Sequence, residues 1–423
     1  MPISITTASS QKLQVGLKHQ VAGRANEAMQ VYREILSEDP SNSDALHLTG
    51  ILYLQGNNFN KAQETILKAI RLKPRRADYH FNLAGAYYQG EKYESAVSAY
   101  QKTIDQTDYR PDSLKGLASS YQKLGRFKQA LEAALEALKL NPYFAEIHEI
   151  LIELFRQKGE TKNETIAWYN LGESRRRQED EEGARSAFRE ALNLNPHYEK
   201  ARYSLQILEG TTPETAPKRY VKDLFDDYAD RFETHLDQLD YRAPELLRNA
   251  ILKTLSNSEN PRPVFNMALD IGCGTGKCGE LFRPFSKTIH GVDLSSKMTT
   301  KAGERNVYDH VFEADAATLL KSTSEYYDLV IAADVLIYIG DLNQLFSALE
   351  TNSVPDRLFA FSTETCEGDG FKLLEYGRFA HSVAYIHSIA EQFDYSIAYS
   401  QNETLRQQSG QPVPGRIFIL KKN

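Results

Sequence analysis

The first half of the chain repeats one pattern of small, aromatic and proline positions. Pro40, Pro74 and Pro142 stand 34 and then twice 34 residues apart. A proline cannot donate the next backbone hydrogen bond of a helix, so each of these prolines marks a helix end. Small and aromatic residues recur at matching places between them. The pattern predicts an array of helix pairs with a fixed period.

A period of about 34 residues is that of tetratricopeptide repeats, and the residues at the marked positions resemble theirs. The fifth repeat is the most regular, with Trp168, Gly172, Phe188 and Pro196 in order. Glycine is expected where the two antiparallel helices of a repeat cross closely, as at Gly50. One pair cannot bury its apolar face alone, so the pairs are predicted to stack into an α-solenoid. The repeats span 9–42, 43–76, 77–110, 111–144 and 165–198.

The period breaks once and the array then ends at a polar linker. After Pro142 a helix is predicted over 145–156 and a loop over 157–163, which together indicate an incomplete repeat. A last helix over 197–208 is predicted to cap the array. The segment 209–218 is polar and contains two prolines, which marks a domain boundary. The sequence therefore predicts a repeat domain over 1–208, a linker over 209–218 and a second domain over 219–423.

The second domain alternates short apolar strands with helices, which predicts a doubly wound, mostly parallel, Rossmann-like sheet of seven strands. Ligands of such sheets bind outside the carboxyl ends of the strands, where the strand order switches. Two helices precede the sheet, an amphipathic one over 220–236 and a second over 243–255. Strands are predicted at 265–271, 287–293, 309–314, 327–334, 357–363, 395–399 and 415–422, and helices at 275–284, 296–304, 315–320, 342–351 and 384–392.

The composition is that of a globular protein. The chain has 423 residues, of which 41% are hydrophobic and 25% charged. Its formal net charge of −7 argues against a broad nucleic-acid footprint. Three cysteines cannot form a disulfide framework, and no apolar run approaches the length of a signal peptide or membrane span. We expect a cytoplasmic protein that binds neither nucleic acid nor membrane and carries no metal site.

A glycine-rich turn follows the first predicted strand of the second domain. Gly272, Gly274 and Gly276 alternate with other residues and lead into a predicted helix. Glycine lets the backbone turn tightly and lets a ligand approach bare amide groups. The turn is either a ligand cradle or a plain connection. The dinucleotide-binding pattern G-x-G-x-x-G needs a glycine at Lys277, so a dehydrogenase is disfavoured.

What the turn does match is D-x-G-x-G-x-G, and it resembles the first motif of class I S-adenosylmethionine methyltransferases. The resemblance implies that S-adenosylmethionine is the cofactor and that the domain transfers its methyl group. Asp270 would orient the turn or the methionine amine, whereas Cys273 is a small filler rather than a nucleophile. The cofactor residues implied at this motif are Asp270, Gly272, Cys273, Gly274, Thr275 and Gly276.

Asp293 ends the second predicted strand, 21 residues after Gly272. A carboxylate at that spacing can accept hydrogen bonds from ribose hydroxyl groups, and the alternative is that Asp293 caps the next helix. The segment from Asp293 also resembles the methyltransferase pattern D-x-S-x-x-M. That resemblance implies that Leu294 and Met298 belong to the adenine side of the cofactor site.

Three further segments resemble methyltransferase motifs. Asp315 and Ala316 match the motif whose acid binds the adenine amino group, although Asp315 could instead cap a helix. Asp334 and Tyr338 follow the fourth strand and would face the cofactor and the methyl acceptor, or would only cap and pack their loop. Tyr228 lies in a segment similar to F-D-x-Y-A-x-x-F, whose aromatic residue helps to close over the cofactor.

A general base is needed only if the methyl acceptor loses a proton. His381 is the best candidate because of its ordinary pKa, and Glu364 and Tyr338 are its rivals. A lone histidine in a loop can equally be structural. The chain lacks the N/D-P-P-Y/F motif associated with methylation of nucleobase and glutamine amino groups. Together with the acidic charge, this argues against a nucleobase acceptor.

The order of repeats, linker, entry helices and methyltransferase motifs resembles bacterial methyltransferases that carry tetratricopeptide repeats. Two functions remain open. The chain is either an active methyltransferase whose repeat groove recruits a protein substrate or partner, or an interaction module whose second domain binds S-adenosylmethionine without turnover. The acceptor is a protein or a small molecule, and the array could also be a scaffold or dimerisation surface without a peptide groove.

Overall fold

The computed structural model describes residues 4–106, 110–255, 265–408 and 410–423. The end of the predicted third repeat, at 107–109, lies outside the described residues. The chain divides into two compact units, Met1–Pro196 and His197–Asn423. Each unit has its own hydrophobic core and is described separately.

The first unit is helical throughout its described part, and successive helices pack against each other in pairs. α9 packs against both α8 and α10. The helix predicted over 145–156 is present as α9. The loop predicted over 157–163 is wrong, because α9 continues to Lys158 and α10 begins at Thr161. The helices are α1 (Ser4–Val21), α2 (Ala25–Glu38), α3 (Ser43–Gln55), α4 (Phe59–Leu72), α5 (Ala77–Gln89), α6 (Tyr93–Ile104), α7 (Arg110–Lys123), α8 (Phe127–Leu140), α9 (Ala145–Lys158), α10 (Thr161–Arg177) and α11 (Glu181–Leu194).

Four glycines of the first unit lie directly against a large side chain of the neighbouring helix. A Cβ atom added at any of these four positions would overlap that side chain. Only glycine leaves room for these crossings, which is the reason the pattern repeats along the sequence. The pairs are Gly16 with Tyr32, Gly50 with Ile66, Gly116 with Tyr100 and Gly172 with Phe188.

The second unit begins with helices that precede the sheet. The predicted single helix over 220–236 is wrong, because a 3₁₀ turn at Ala229–Arg231 divides it and brings Phe232 against both Phe225 and Tyr228. The helix predicted to cap the array lies in this unit. The helices are α12 (Glu199–Glu209), α13 (Lys218–Tyr228), α14 (Phe232–Gln238) and α15 (Ala243–Leu255).

The rest of the second unit alternates strands with helices. Its strands are β1 (Phe265–Ile271), β2 (Ser286–Asp293), β3 (His310–Glu313), β4 (Leu329–Ala332), β5 (Leu358–Thr365), β6 (Phe371–Leu373), β7 (Phe379–His381), β8 (Tyr395–Gln408) and β9 (Gln411–Lys422). Its helices are α16 (Lys277–Phe282), α17 (Ser296–Glu304), α18 (Ala316–Ser322), α19 (Asn343–Thr351) and α20 (Val383–Gln392), with short 3₁₀ turns at Arg283–Phe285 and Leu336–Tyr338.

The sheet confirms the predicted doubly wound fold class. Strands β3-β2-β1-β4-β5 are parallel, while β9 runs antiparallel to β5 and pairs with β8. The described sheet has nine strands rather than the predicted seven, because the hairpin β6–β7 joins the end of β5. Strand order switches between β1 and β4, so their carboxyl ends open the crevice in which ligands of this fold bind.

Both faces of the central strands are buried. Every residue of β4, Leu329–Ala332, is buried, with side chains alternating between two cores. A parallel strand that is covered on both faces appears in the sequence as a continuous apolar run, so these strands could be predicted.

Candidate functional site

The glycine turn joins the end of β1 to α16 with a left-handed backbone at each glycine. The φ angles are 63° at Gly272, 53° at Gly274 and 97° at Gly276. A Cβ atom at Gly272 would also overlap the side chain of Val335, in the loop after β4. The loop after β4 therefore lies directly against the turn, and no other residue type fits at Gly272 without a shift.

Asp293 at the end of β2 holds this turn in place. Its Oδ2 accepts the backbone N–H of Gly274 at 3.0 Å, and its Oδ1 accepts that of Ser295 at 2.8 Å. The N-cap of α17 is Ser295, whose side chain accepts the N–H of Met298. Asp293 is thus not the helix cap. Its carboxylate still has lone pairs to accept further hydrogen bonds, so the ribose contact stays a prediction.

Asp270 lies beneath the turn rather than at the solvent. Burial raises its pKa to about 7, and the hydroxyl of Tyr308 donates to its Oδ2 at 2.6 Å. The same hydroxyl accepts the N–H of Gly279 at 3.1 Å, so Tyr308 connects Asp270 to the start of α16. Burial also raises the pKa of the Cys273 thiol well above its usual value, which keeps it protonated.

Aromatic side chains from α13 and α14 cover the turn. The ring of Phe232 is the nearest neighbour of a Cβ atom placed on Gly274, at 3.6 Å. The ring of Tyr228 packs edge-on against Phe232 and His235, with centroids 5.8 and 5.3 Å away. Tyr228 therefore packs beside the ring that lies over Gly274, and its contact with the cofactor stays a prediction.

Ion pairs connect the covering helices to the elements that carry the motifs. Arg305 contacts both Glu233 of α14 and the carbonyl oxygen of Thr275, the latter at 2.5 Å. Lys277 lies 3.1 Å from Asp237. Such exposed pairs contribute little individually, but they fix the position of α14 over the turn.

The polar groups around the turn fit a nucleoside cofactor with an amino-acid tail. In the described part of the chain, the buried Tyr228 Oη has no hydrogen-bond partner. Buried polar groups are normally paired, so an unpaired hydroxyl group beside the cover of the turn is consistent with a ligand-binding place. The Asp293 carboxylate keeps lone pairs that ribose hydroxyls could use. The amides of Gly274 and Gly276 are already bonded, to Asp293 and to the carbonyl oxygen of Cys273.

The residues expected on the adenine side of the cofactor differ in their burial and in their contacts. Leu294 is partly buried against the cluster that contains Tyr338. Met298 is fully buried in α17, so it has no surface for a ligand unless its side chain moves. Asp315 is the N-cap of α18, since its Oδ1 accepts the N–H of Thr318 at 3.0 Å, and Ala316 begins that helix. Asp315 therefore caps a helix, which is the alternative to an adenine contact. The adenine contacts of Leu294, Met298, Asp315 and Ala316 stay predictions.

A buried charge cluster lies at the carboxyl ends of β4 and β5. Asp334 has a left-handed φ of 60° and accepts Nη1 of Arg406 at 2.8 and 2.9 Å. Nη2 of Arg406 donates to Glu364 Oε1, and the hydroxyl of Tyr376 donates to Glu364 Oε2 at 2.6 Å. Arg406 and Glu364 are each about 2% exposed. A non-glycine residue in this conformation is held there by its surroundings, often at functional sites.

The predicted bases all have other contacts. His381 is buried, and its Nε2–H donates to the carbonyl oxygens of Ile339 and Gly340 at 2.9 and 3.0 Å. Burial lowers its pKa to about 4, so the ring is neutral at physiological pH. Burial raises the pKa of Tyr338, and Glu364 is paired as described. The structural role of His381 therefore has named contacts, while its catalytic role stays a prediction.

Four residues of the site were not identified from the sequence. Tyr308, Tyr376, Arg378 and Arg406 reach it from segments distant in the chain. Arg406 lies in the long strand β8, of which the sequence analysis identified only the first part. An arginine that points inward from a strand carries no local pattern to distinguish it from a surface arginine. These residues became visible only through long-range contacts.

Comparison with known proteins supports the two-part organisation. A family model described as a methyltransferase domain matches residues 238–398. Models described as tetratricopeptide repeats match residues 47–111, 111–144 and 165–198. These matches confirm the predicted tetratricopeptide array and the predicted methyltransferase domain. In the described part of the chain, no helix combines the length and apolar character needed to cross a membrane.

Curated relatives match parts of the chain. A malonyl-[acyl-carrier protein] O-methyltransferase of Salmonella typhimurium is 26% identical over 151 residues, which are 36% of this chain and 55% of the relative. The probable S-adenosylmethionine-dependent methyltransferase CRG1 of Saccharomyces cerevisiae is 33% identical over 99 residues, 22% of this chain and 34% of the relative. The chain thus spans only part of the length of the relatives it matches.

Solved structures also align with about half of the chain. Magnesium protoporphyrin IX methyltransferase (ChlM) from Synechocystis PCC 6803 with bound S-adenosylhomocysteine is 20% identical, with a TM-score of 0.38, and the alignment covers 49% of this chain and 99% of that chain.

Proposed function

We propose that this tetratricopeptide-repeat methyltransferase binds S-adenosylmethionine across the carboxyl ends of β1 and β2 and methylates an acceptor held beside β4 and β5. The observation that carries the proposal is the glycine turn, which is held by Asp293 and covered by the ring of Phe232, with the unpaired hydroxyl of Tyr228 on the neighbouring ring. The relatives' names support the same cofactor and reaction.

The residues of the site would divide the work as follows. The Asp293 carboxylate accepts the ribose hydroxyls, and the absence of side chains at Gly272, Gly274 and Gly276 leaves room for the amino-acid tail against the turn. Tyr228 closes over the cofactor and excludes water, which matters because methyl transfer depends on positioning and desolvation. When bound, S-adenosylmethionine supplies an electrophilic methyl group on a sulfonium. Asp334 and Tyr338 shape the space in which the acceptor approaches.

The repeat array would recruit a protein that is, or carries, the methyl acceptor. Stacked helix pairs create extended surfaces suited to binding a segment of another protein. The Salmonella relative is named for an acceptor carried on a protein, which supports a recruited carrier or protein substrate. We assign recruitment to the repeats and methyl transfer to the domain that begins after the linker.

A second function, S-adenosylmethionine binding without turnover, is favoured by one observation. Burial lowers the pKa of His381 to about 4, which makes its Nδ1 a weak base, and Asp334 and Glu364 are both bound by Arg406. An acceptor that must lose a proton would therefore react poorly at this site. The two functions differ in whether methyl label leaves the cofactor.

The test is a methyl-transfer assay with the full chain. The protein is incubated with methyl-labelled S-adenosylmethionine and an extract of its source cells, and macromolecules are separated from small molecules. Label in the protein fraction that depends on residues 1–196 supports recruitment and transfer. Cofactor binding without label in any fraction would favour the non-catalytic module.

A further inference from the structure

The segment that covers the glycine turn is bonded to the rest of the second unit at both of its ends. Before α13, the N–H of Ala216 donates to the carbonyl oxygen of Tyr338 at 3.1 Å. After α14, the carbonyl oxygen of Leu239 accepts the N–H of Gln407 at 2.6 Å. We call residues 218–238, which comprise α13, the 3₁₀ turn and α14, the strap.

Between these ends the strap buries little apolar surface. Its buried apolar residues are Val221, Ala229 and Leu236. The next helix, α15, is shorter than the strap and still buries five residues, Ala243, Pro244, Leu247, Ala250 and Ile251. A segment with few buried apolar contacts opens at a low cost in free energy. The strap is therefore the part of this region that can move most easily while its two ends stay bonded.

One face of the strap carries a row of polar side chains at steps of three or four residues, which is the spacing of one helix face. Each contacts a different residue at the rim of the proposed cofactor site. The pairs are Lys218 with Asp315, Lys222 with Glu313, Asp226 with Ser295, Asp230 with Lys301, Glu233 with Arg305 and Asp237 with Lys277. Ion pairs near the surface contribute little individually, so the row orients the strap without making its opening costly.

Asp226 connects the strap to the glycine turn through three hydrogen bonds. Its Oδ1 accepts the hydroxyl of Ser295 at 2.6 Å, and Ser295 is fully buried. The N–H of Ser295 donates to Asp293 at 2.8 Å, and Asp293 accepts the N–H of Gly274 at 3.0 Å. The side chain of Asp226 therefore acts on the proposed ribose-binding acid through one residue, without itself needing to touch the cofactor.

The position of the strap makes its movement relevant to the cofactor. The ring of Phe232 lies 3.6 Å from a Cβ atom placed on Gly274, so the strap lies directly over the turn. Methyl transfer benefits when water is excluded from the site, and the spent cofactor must leave after each reaction. A cover over this turn therefore has to close for the reaction and open for release.

We propose that Asp226 is a positioning residue that couples closure of the strap to the orientation of Asp293 and thereby controls how fast the cofactor leaves. This inference rests on the proposed binding of S-adenosylmethionine at the glycine turn. When the strap is closed, Asp226 orients Ser295, Ser295 orients Asp293, and the ring of Phe232 lies over the turn. When it opens, the row of polar contacts is exchanged for contacts with water and the cofactor can dissociate.

The first test measures the release of the cofactor from the full chain. Labelled S-adenosylmethionine is bound, displaced by excess unlabelled compound and followed by rapid filtration. Asp226→Ala should release it about tenfold faster or more, with little change in the association rate, because a hydrogen bond to a charged acceptor is lost. Asp226→Asn keeps an oxygen that can accept the hydroxyl of Ser295, so its release rate should lie between those of Asp226→Ala and the parent chain.

The matched control is Asp227→Ala. Asp227 is an exposed acid one position further along α13, so its removal changes the net charge of the same helix by the same amount. We expect the parental release rate in this variant. A contact that only supports the fold would behave differently from a positioning residue, because its loss would lower the bound fraction of the protein while the bound molecules kept the parental release rate.

The second test follows amide hydrogen exchange in the parent chain and needs no variant. Without cofactor, the amides of the strap should exchange faster than those of α15, because the strap opens more readily. S-adenosylhomocysteine should slow exchange in the strap by holding it closed. In Asp226→Ala the same compound at saturation should slow it less.

The outcomes separate this inference from the proposed function. Parental release rates in both Asp226 variants, or a lowered bound fraction alone, would overturn the role of Asp226 and leave cofactor binding intact. Exchange in the strap that is as slow as in α15 and does not respond to S-adenosylhomocysteine would overturn its opening. If the parent chain bound neither S-adenosylmethionine nor S-adenosylhomocysteine, the proposed function and this inference would fail together.

Discussion

The carboxylate of Asp293 accepts the backbone N–H of Gly274 at 3.0 Å. Through this bond the end of β2 fixes the turn at the end of β1, so the two predicted cofactor motifs support each other's geometry. The turn and the acid are 19 residues apart in sequence but depend on each other for their geometry. A change at either residue should therefore affect the cofactor site as a whole.

Replacing Asp293 tests directly whether the cofactor site depends on this contact. Asp293→Ala removes the proposed ribose acceptor and releases Gly274, and we expect S-adenosylmethionine affinity to fall about 10- to 100-fold because charged hydrogen bonds are lost. Calorimetric titration measures the change. Glu391→Ala, which removes an exposed acid from α20, is the control and should bind like the parent chain. If Asp293→Ala bound S-adenosylmethionine as tightly as the parent chain, the assignment of Asp293 to the ribose would be wrong.

A methyl group at Gly272 should damage the turn. Gly272→Ala combines a left-handed φ with overlap on Val335, so we expect a loss of about 1–3 kcal/mol in the free energy of unfolding. Gly303→Ala is the matched control, since a Cβ atom there meets nothing within 4 Å in the helix α17. It should be neutral or stabilising by up to about 1 kcal/mol. Scanning calorimetry of both variants decides, and equal melting temperatures would contradict the account.

A similar substitution in the repeat array should lower the stability of the first unit. Gly172→Ala in α10 would place a methyl group into the ring of Phe188, so the first unit should lose about 1–3 kcal/mol. The chain has one tryptophan, Trp168, on the same helix, so its fluorescence follows unfolding of the first unit. Gly85→Ala is the control, because its added Cβ lies 4.0 Å from the nearest atom, in Leu54. An unchanged transition in Gly172→Ala would show that the helices do not cross there.

The stability of the second unit should depend on pH through His381. Burial lowers the pKa of this residue to about 4, whereas an unfolded histidine titrates at about 6.5. Between these values the unfolded chain binds more protons, so stability is full above about pH 6.5 and falls as the pH drops towards 4. The loss from this residue amounts to about 3 kcal/mol at most.

The measurement for His381 compares the free energy of unfolding of the parent chain with that of His381→Gln. Burial raises the pKa of Asp270 to about 7, which gives that residue the opposite pH dependence over part of the range. The stability advantage of the parent chain over His381→Gln should therefore shrink as the pH falls from about 6.5 to 4. Urea unfolding at several pH values measures it. A constant advantage would mean that His381 titrates normally in the folded protein.

The sequence predicted those parts of the fold that are encoded locally. The prolines and crossing glycines of the repeats, and the apolar strand Leu329–Ala332, each leave a pattern that depends on near neighbours. The hairpin β6–β7 was missed because strands of three residues are too short to show alternation. The break at Ala229–Arg231 was missed because the apolar spacing continues through it.

The same distinction applies to the site. The glycine turn was identified because its backbone geometry restricts which residues can stand there, and Asp293 because of its spacing from Gly272 and its resemblance to a methyltransferase motif. Arg406, Arg378 and Tyr308 reach the site from distant segments, and nothing near them in the sequence indicates a buried position. His381 was considered as a base from its ordinary pKa. Its burial against two backbone carbonyl groups, which lowers that pKa, depends on the loop after β4.

The central claim is that the glycine turn binds S-adenosylmethionine, and calorimetric titration of the full chain tests it most directly. We predict binding at one site with a dissociation constant in the micromolar range for S-adenosylmethionine and S-adenosylhomocysteine, and no heat with NAD. Absence of binding by both sulfur compounds, or equal binding of NAD, would contradict the account.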